Sequence, residues 1–495
     1  MSFCLNFPLF LIVLSLVSAV LCSVIRGEAA RITAMTLAVL SAVLNAVILF
    51  YSYRNDISVT FLMGHYPHPW GNELRISPME ALFSAAFSSI LFLSLLGGTM
   101  QIGQKVQQDL SRYFYVMTCL IQAALLVLVY TNDVFTGYVF IEICTLSSCG
   151  ILMIRKNGRS TLAAVRYMIF SLIGSGLFLF GVIFLYDITG ELLMPNVRAA
   201  IRVLWSSGQY QVPLLTAVCL MTLGLGIKSG LFPFHIWMAD TYGTAIPGAS
   251  AILSGLISKG YIFFLVKLIY DVFDTQVFYA SGVQNVLFVL GAVGIILGSV
   301  SAIRENNILR MLAFSSAAQI GYIYMGIGLS PGMGITAALF QILAHAVMKP
   351  ALFLSAGVLT NAMGNAKKFR NLQGCAYVHI WGGIAFTFEA FSMIGVPLTM
   401  GFMCKYLFGA AAFDASVTKL VLTLLALSVS TILNTIYFTR TVIRIYRLPI
   451  AGGFVREKSR PSFIFAAAVF IVVNLFFGIF GKSFIDALGN CVTIF

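Results

Sequence analysis

Apolar stretches of about 20 residues recur along the whole chain, separated by short runs that collect Lys, Arg, Gly and Pro. Each has the length of a helix crossing roughly 30 Å of hydrocarbon, where every backbone N–H and C=O must be satisfied within the segment. The pattern predicts about fourteen spans, near 5–25, 32–53, 79–100, 113–132, 134–154, 163–187, 212–238, 247–270, 278–300, 308–329, 332–360, 379–409, 416–440 and 463–485. The expected fold is therefore an all-α polytopic membrane protein. The first stretch, MSFCLNFPLFLIVLSLVSAVLCSVI, lacks a basic n-region and is too long for the apolar centre of a signal peptide, so it reads as a retained span.

Composition leads to the same class. Of 495 residues 60% are hydrophobic and 9% charged, with mean hydropathy +0.96, more apolar surface than one soluble core could hide. Charge adds an orientation. With both termini outside, Arg26, Arg31, Lys105, Arg112, Arg155, Lys156, Arg159, Arg166, Arg304, Arg310, Lys367, Arg440 and Arg444 fall on the cytoplasmic side, as the positive-inside rule requires. This spread accounts for the net charge of +13 without nucleic acid, because no basic patch is interleaved with aromatics. The nine cysteines lie mostly within spans and lack metal spacing; Cys144 and Cys149, five apart on one predicted helix, read as packing residues. There is no Walker loop and no dinucleotide fingerprint, so no cofactor is expected in this chain, which reads as part of a transporter rather than a catalyst itself. In the outer loop GHYPHPWGNELR, His65 and His68 read as fold punctuation, and Tyr51, Tyr53 and Trp70 as an interface belt or the loop packed under it.

The candidate chemistry lies in charges at membrane depth. Such a charge costs several kcal/mol and is by default a functional residue with a partner. Lys228, Lys259, Lys349 and Lys405 fall inside apolar segments, and Glu142 and Glu389 are the matching acids. A dry site favours the neutral amine and an adjacent carboxylate favours the ammonium, so moving Glu142 toward or away from Lys228 would load or unload a proton. His345 and Lys349 are four apart and share a helix face. Two of these segments are interrupted by proline. Pro233 lies five residues after Lys228 and frees the Ser229 carbonyl, while Pro397 lies eight residues before Lys405. Broken helices in corresponding places point to an inverted repeat, spans four to eight matching nine to thirteen. His235, just past the first break, either extends the relay or hydrogen-bonds a freed carbonyl.

These residues resemble a known family. GIKSGLFPFHIWMADTYGTAIPGASAILSGLISKG, AIRENNILRMLAFSSAAQIGYI, HAVMKPALFLSAG and GVPLTMGFMCKYLF are similar, in order, to the motifs of proton-translocating antiporter-like subunits, found in respiratory complex I, Mrp cation/proton antiporters and membrane-bound hydrogenases. The resemblance implies fourteen helices with two inverted five-helix repeats, at 111–270 and 271–445, preceded by helices one to three (1–110) and followed by a loop and helix fourteen (446–495). It implies that Glu142, Lys228, Lys259, His345, Lys349 and Lys405 form a proton relay along a mid-membrane axis. It further implies a prokaryotic cell membrane and other membrane subunits as partners, with H+ and Na+ or K+ as the ions. The size and the outer loop look most like the D-type subunit of Mrp antiporters. The TYGTAIPGASAILSG segment, less acidic and proline-rich than the complex I pattern, leans away from complex I proper, which stays as the redox-driven alternative. A stand-alone small-solute transporter is the second alternative, and a structural subunit with a dead relay the third.

Overall fold

The computed structural model describes residues 6–55, 57–66, 71–448 and 457–494. His68 and Trp70 lie outside these residues. The helices are α1 (Phe7–Val24), α2 (Gly27–Asn55), α3 (Pro78–Lys105), α4 (Gln108–Tyr130), α5 (Val134–Met153), α6 (Gly158–Thr189), α7 (Met194–Ser206), α8 (Gln211–Ser229) and α9 (Ile236–Thr244). They continue with α10 (Pro247–Asp271), α11 (Val283–Arg304), α12 (Ile308–Leu329), α13 (Met333–Ala362), α14 (Ile380–Ile394), α15 (Met400–Phe413), α16 (Val417–Tyr446), α17 (Pro461–Ile479) and α18 (Gly481–Ile494). Strands β1 (Val59–Leu62) and β2 (Glu73–Ile76) form an antiparallel hairpin between α2 and α3, with Val59 opposite Ile76 and Leu62 opposite Glu73.

Among the described residues, 13 helices are long and apolar enough to cross a membrane. The expected crossing over 379–409 is instead the shorter apolar pair α14 and α15, one on each side of Pro397. Helix starts follow local chemistry. Asp133 accepts from the Thr136 amide at α5 (2.6 Å), Asn157 from Ser160 at α6 (2.8 Å) and Asn307 from Leu309 at α12 (3.0 Å). Each satisfies an amide that lacks an intrahelical partner, an effect of ~1 kcal/mol.

Burial sorts the helices into a centre and a shell. The most apolar windows of α10 and α13 are 100% buried and that of α12 is 94% buried, whereas α1 and α2 bury 39% and 33%. A helix apolar all round is stable only when surrounded by other helices or by lipid. Of the central three, α10 carries Lys259 and α13 carries Lys349, so those two charges are enclosed by protein. Small residues let backbones approach. A Cβ at Gly224 would lie 2.5 Å from the Gly174 carbonyl oxygen, so α6 and α8 cross in near contact beside Lys228.

Candidate functional site

The first break lies at the end of α8. Gly230, at φ +86°, adopts the left-handed conformation that ends a helix, and its amide bonds back to Gly226 and Ile227. The helix therefore stops at Ser229, before Pro233 is reached, and restarts as α9 at Ile236. Lys228 lies in the last turn of α8 with its side chain fully buried. Its Nζ meets Glu142 Oε1 at 3.2 Å and Thr145 Oγ1 at 2.8 Å, 5.7 Å from the centre of the Tyr261 ring. The Glu142 side chain is 23% exposed, so the pair joins the protein surface to the interior. Thr145 Oγ1 reaches the Tyr261 hydroxyl at 3.4 Å, and Tyr261 lies on α10 two residues beyond Lys259.

The centre is built on a π-helical stretch of α10, Leu253–Ile257, of the kind that recurs at functional sites. Lys259 donates to the Ser254 carbonyl within it. The Ser254 hydroxyl pairs with that of Ser316 at 2.9 Å, and Ser316 donates to the Leu312 carbonyl at 3.0 Å. Lys349 Nζ donates to the same carbonyl at 2.9 Å. Lys259 and Lys349 thus occupy the two ends of one short polar thread, both fully buried, and among the described residues neither has a carboxylate within 4.0 Å. Pro350, inside α13, leaves the Ala346 carbonyl without its usual donor one turn back. His345 is buried beside it, with neither ring nitrogen hydrogen-bonded to the described residues.

The second break separates α14 from α15. Gly395, at φ +94°, ends α14, and Lys405 Nζ reaches back across the gap to the Ile394 carbonyl and to Thr431 Oγ1 at 2.7 Å. A Cβ on Gly395 would lie 2.9 Å from Lys405 Cδ, so this residue must stay small. Lys405, Gln319, Gln341, Met348 and Ser392 share the lining of a small cavity of about 10 Å³. Gln341 donates to Gln319 at 2.6 Å and lies one turn from His345 on α13. Lys405 itself is half-buried.

Hydrogen bonds therefore join Glu142 to Lys228 and link Lys259 to Lys349; Glu142 and Lys405 are partly exposed, whereas Lys228, Lys259, His345 and Lys349 are enclosed. Three expectations are corrected. Glu389 is not the partner of a lysine: it is buried and accepts from Asn474 Nδ2 of α17 at 2.7 Å, because that asparagine reaches it first. His235 makes no hydrogen bond to a freed carbonyl among the described residues; its ring lies between Phe232 and Phe314, with Nδ1 buried and unpartnered. The helix ends trace to Gly230 and Gly395, with proline keeping the chain from resuming at once. Cys144 and Cys149 are buried and free, as packing residues are.

Sequence reading also missed a second buried charge group. Lys267 on α10 is fully buried and meets Glu80 Oε1 at 3.3 Å and the Val129 carbonyl at 2.9 Å. Arg75 of β2 pairs with Asp271, and Ser77 donates to Glu80. Two cations and two anions are thus closed on one another where the hairpin meets α10. The available signal was Lys267 and Asp271 at i and i+4, at the end of a predicted span.

With this geometry in hand, comparison with known proteins is informative. The chain is 32% identical over 409 residues to NADH-quinone oxidoreductase subunit N of Desulforudis audaxviator, covering 81% of this chain and 78% of that one. It is 25% identical over 361 residues to the Na(+)/H(+) antiporter D subunit of Alkalihalophilus pseudofirmus, covering 73% and 71%. Its fold superimposes on a chain of the Mrp complex from Dietzia sp. DQ12-45-1b with TM-score 0.86 at 22% identity, covering 99% and 97%. Residues 131–432 match the family model described as NADH:quinone oxidoreductase/Mrp antiporter, TM, and these residues include both breaks and all six expected relay residues; the chain belongs to this family of antiporter-like membrane subunits.

Proposed function

We propose that this chain is the proton-translocating subunit of a multi-subunit cation/proton antiporter, of the Mrp D type, moving H+ along Glu142, Lys228, Lys259, His345, Lys349 and Lys405 in exchange for Na+ or K+. The observation that carries the reading is the buried Lys228 ammonium held by the partly exposed Glu142 carboxylate at the end of an interrupted helix. A change in their separation alters the proton affinity of both, and the Ser254–Ser316–Leu312 thread links Lys259 to Lys349 beyond them. The enclosed middle keeps the row from leaking to bulk water. His345 lies one turn from both Lys349 and Gln341, which suits it to bridge toward the Lys405 cavity, where there is room for about one water. His235 is a further candidate at the first break. The subunit carries no cofactor in this reading, and both termini lie outside a prokaryotic cell membrane. The membrane field sets the energy scale at roughly 2.3 kcal/mol per charge per 100 mV.

A redox-driven complex is the second reading, favoured by the 32% identity to a subunit of NADH-quinone oxidoreductase. Isolating the intact complex and assaying iron and nickel separates the two: metal-bearing companions mean redox drive, and small hydrophobic companions without metal mean an ion gradient. The relay itself is tested by Lys228→Ala in the whole complex. Coupled proton movement should be lost with assembly intact, and full coupling in that variant would overturn the proposal.

A further inference from the structure

On the face that carries the α5–α6 turn, a cavity of about 870 Å³ is lined by Arg155, Arg159, Arg166, Arg310 and Lys367, with Asp240 as its one lining carboxylate. The side chains of this cavity are partly committed. Arg166 and Arg310 share Asp240, and Arg310 also bonds Glu305 at 2.9 Å. Arg155 donates to the Thr244 carbonyl at 3.1 Å and Lys367 to the Gly243 carbonyl at 2.7 Å. Arg159 is exposed and makes no hydrogen bond or ion pair with the described residues. Five cations therefore converge on a cavity with one lining carboxylate, Asp240, while Glu305, outside the lining, pairs with Arg310.

The surroundings identify the kind of anion. Leu162 lines the cavity, and from it an exposed apolar stripe runs along one face of α6 through Val165, Ile169 and Leu172, spaced by three or four residues. A free phosphate would use the cavity alone, although the cavity adjoins the bilayer-facing side of α6. A phospholipid would use both, with its headgroup among the guanidinium groups and its acyl chains along α6. Arginine suits this task because its planar fork binds phosphate oxygens in pairs. We infer that this cavity is a binding site for the headgroup of an anionic phospholipid, with α6 as the seat of its acyl chains.

Lys367 lies in the loop outside the spans. Burial, with Arg155 and Arg159 nearby, holds its ammonium down at about 8. Each basic side chain near a lipid phosphate contributes about fivefold in affinity. The site does not depend on the relay reading, because none of its residues belongs to that row.

The test uses the delipidated native complex, titrated with dioctanoyl phosphatidylglycerol or dioctanoyl phosphatidylcholine and read by native mass spectrometry, with inorganic phosphate as competitor. The expected result is preferential binding of the anionic phosphatidylglycerol, weakened about fivefold by Arg159→Gln and about 25-fold by Arg159→Glu. Lys482→Gln, an equal loss of charge at an exposed position on α18, should leave binding unchanged. Both Arg159 variants should assemble normally, since that side chain has no partner to lose. Equal binding of the two lipids, or no effect at Arg159, would overturn the inference. Displacement of the lipid by phosphate at comparable concentration would assign the site to free phosphate instead. Cross-linking of Arg159→Cys to a companion subunit would assign the cavity to a protein and equally end the lipid reading.

Discussion

Gly255→Ala tests whether the closeness of α10 and α13 is what joins Lys259 to Lys349. Gly255 lies in the π-helical stretch, facing Pro350, and a Cβ added there would be 2.5 Å from Pro350 Cγ and 3.1 Å from Cδ. That is about 0.9 Å short of the 3.4 Å at which ordinary contact begins. A proline ring is fixed to its own backbone and cannot swing aside, so the helices must part. Ser254 is the neighbour of Gly255, so a displacement of α10 there would disturb its 2.9 Å bond to Ser316 on α12. Overpacking of this size costs ~1–3 kcal/mol, small enough for the complex to assemble. Misplacing reacting groups by ~1 Å can slow transfer by as much as ~10²-fold. The assay is acidification of everted vesicles carrying the whole complex, followed by a pH-sensitive dye and normalised to complex abundance. Gly409→Ala is the control, since a Cβ there meets nothing within 4 Å. Proton movement at the unaltered rate in Gly255→Ala would refute the view that the Ser254–Ser316 contact carries the path.

The second charge group and the basic cavity give two more expectations. Lys267→Met leaves Glu80 buried beside a missing cation and should cost ~3–5 kcal/mol, lowering the melting temperature of the complex, whereas adding Glu80→Gln should recover part of the loss; an unchanged melting point in the single variant would show that the group contributes no stability. Lys367 should acylate with a midpoint near pH 8 in competitive labelling. Its folded value lies below the ordinary 10.5, so the unfolded chain keeps the proton longer and stability rises with pH between about 8 and 10.5. Lys367→Met should flatten that rise in melting scans, and a rise that persists unchanged would assign it to another group.

The spans were legible in the sequence because a bilayer imposes length and apolarity on each segment, and a 3.6-residue helix leaves no other way to satisfy the backbone. The lysines were legible because charge at that depth stands out against such a background. What pairs with each was not. Glu389 has the right chemistry and depth to meet Lys405, yet Asn474, 85 residues along the chain, takes its carboxylate. Lys267 lies near a predicted span end, where lysines usually reach water; the Glu80 and Asp271 carboxylates that let it stay buried come from an element far upstream and from its own helix. The Ser254–Ser316 link joins two hydroxyl residues 62 apart, and serine in an apolar helix has no distinguishing pattern. The breaks were seen through their prolines, while the residues that end the helices, Gly230 and Gly395, looked like two of 43 glycines.

Those two breaks share a glycine, a proline and a lysine, but the lysines are held in different ways, and the difference bears on direction. Lys228 lies two residues before its glycine and is balanced by the full charge of Glu142. Lys405 lies ten residues after its glycine and turns back to the C-terminal end of α14, where unpaired carbonyls form the negative pole of the helix. A dipole end and a hydroxyl hold a cation without a charge that can be withdrawn, whereas a partly exposed carboxylate on a neighbouring helix can move. If the proposed relay operates, its switchable element is therefore expected at Glu142 and Lys228, with half-buried Lys405 as a fixed station. Exchanging the roles should show it: Thr431→Asp, which would place a carboxylate beside the position Lys405 Nζ now occupies, should trap a proton there and halt net transport with Lys228 and Glu142 intact. Undiminished transport in that variant would mean that Lys405 is not on the path.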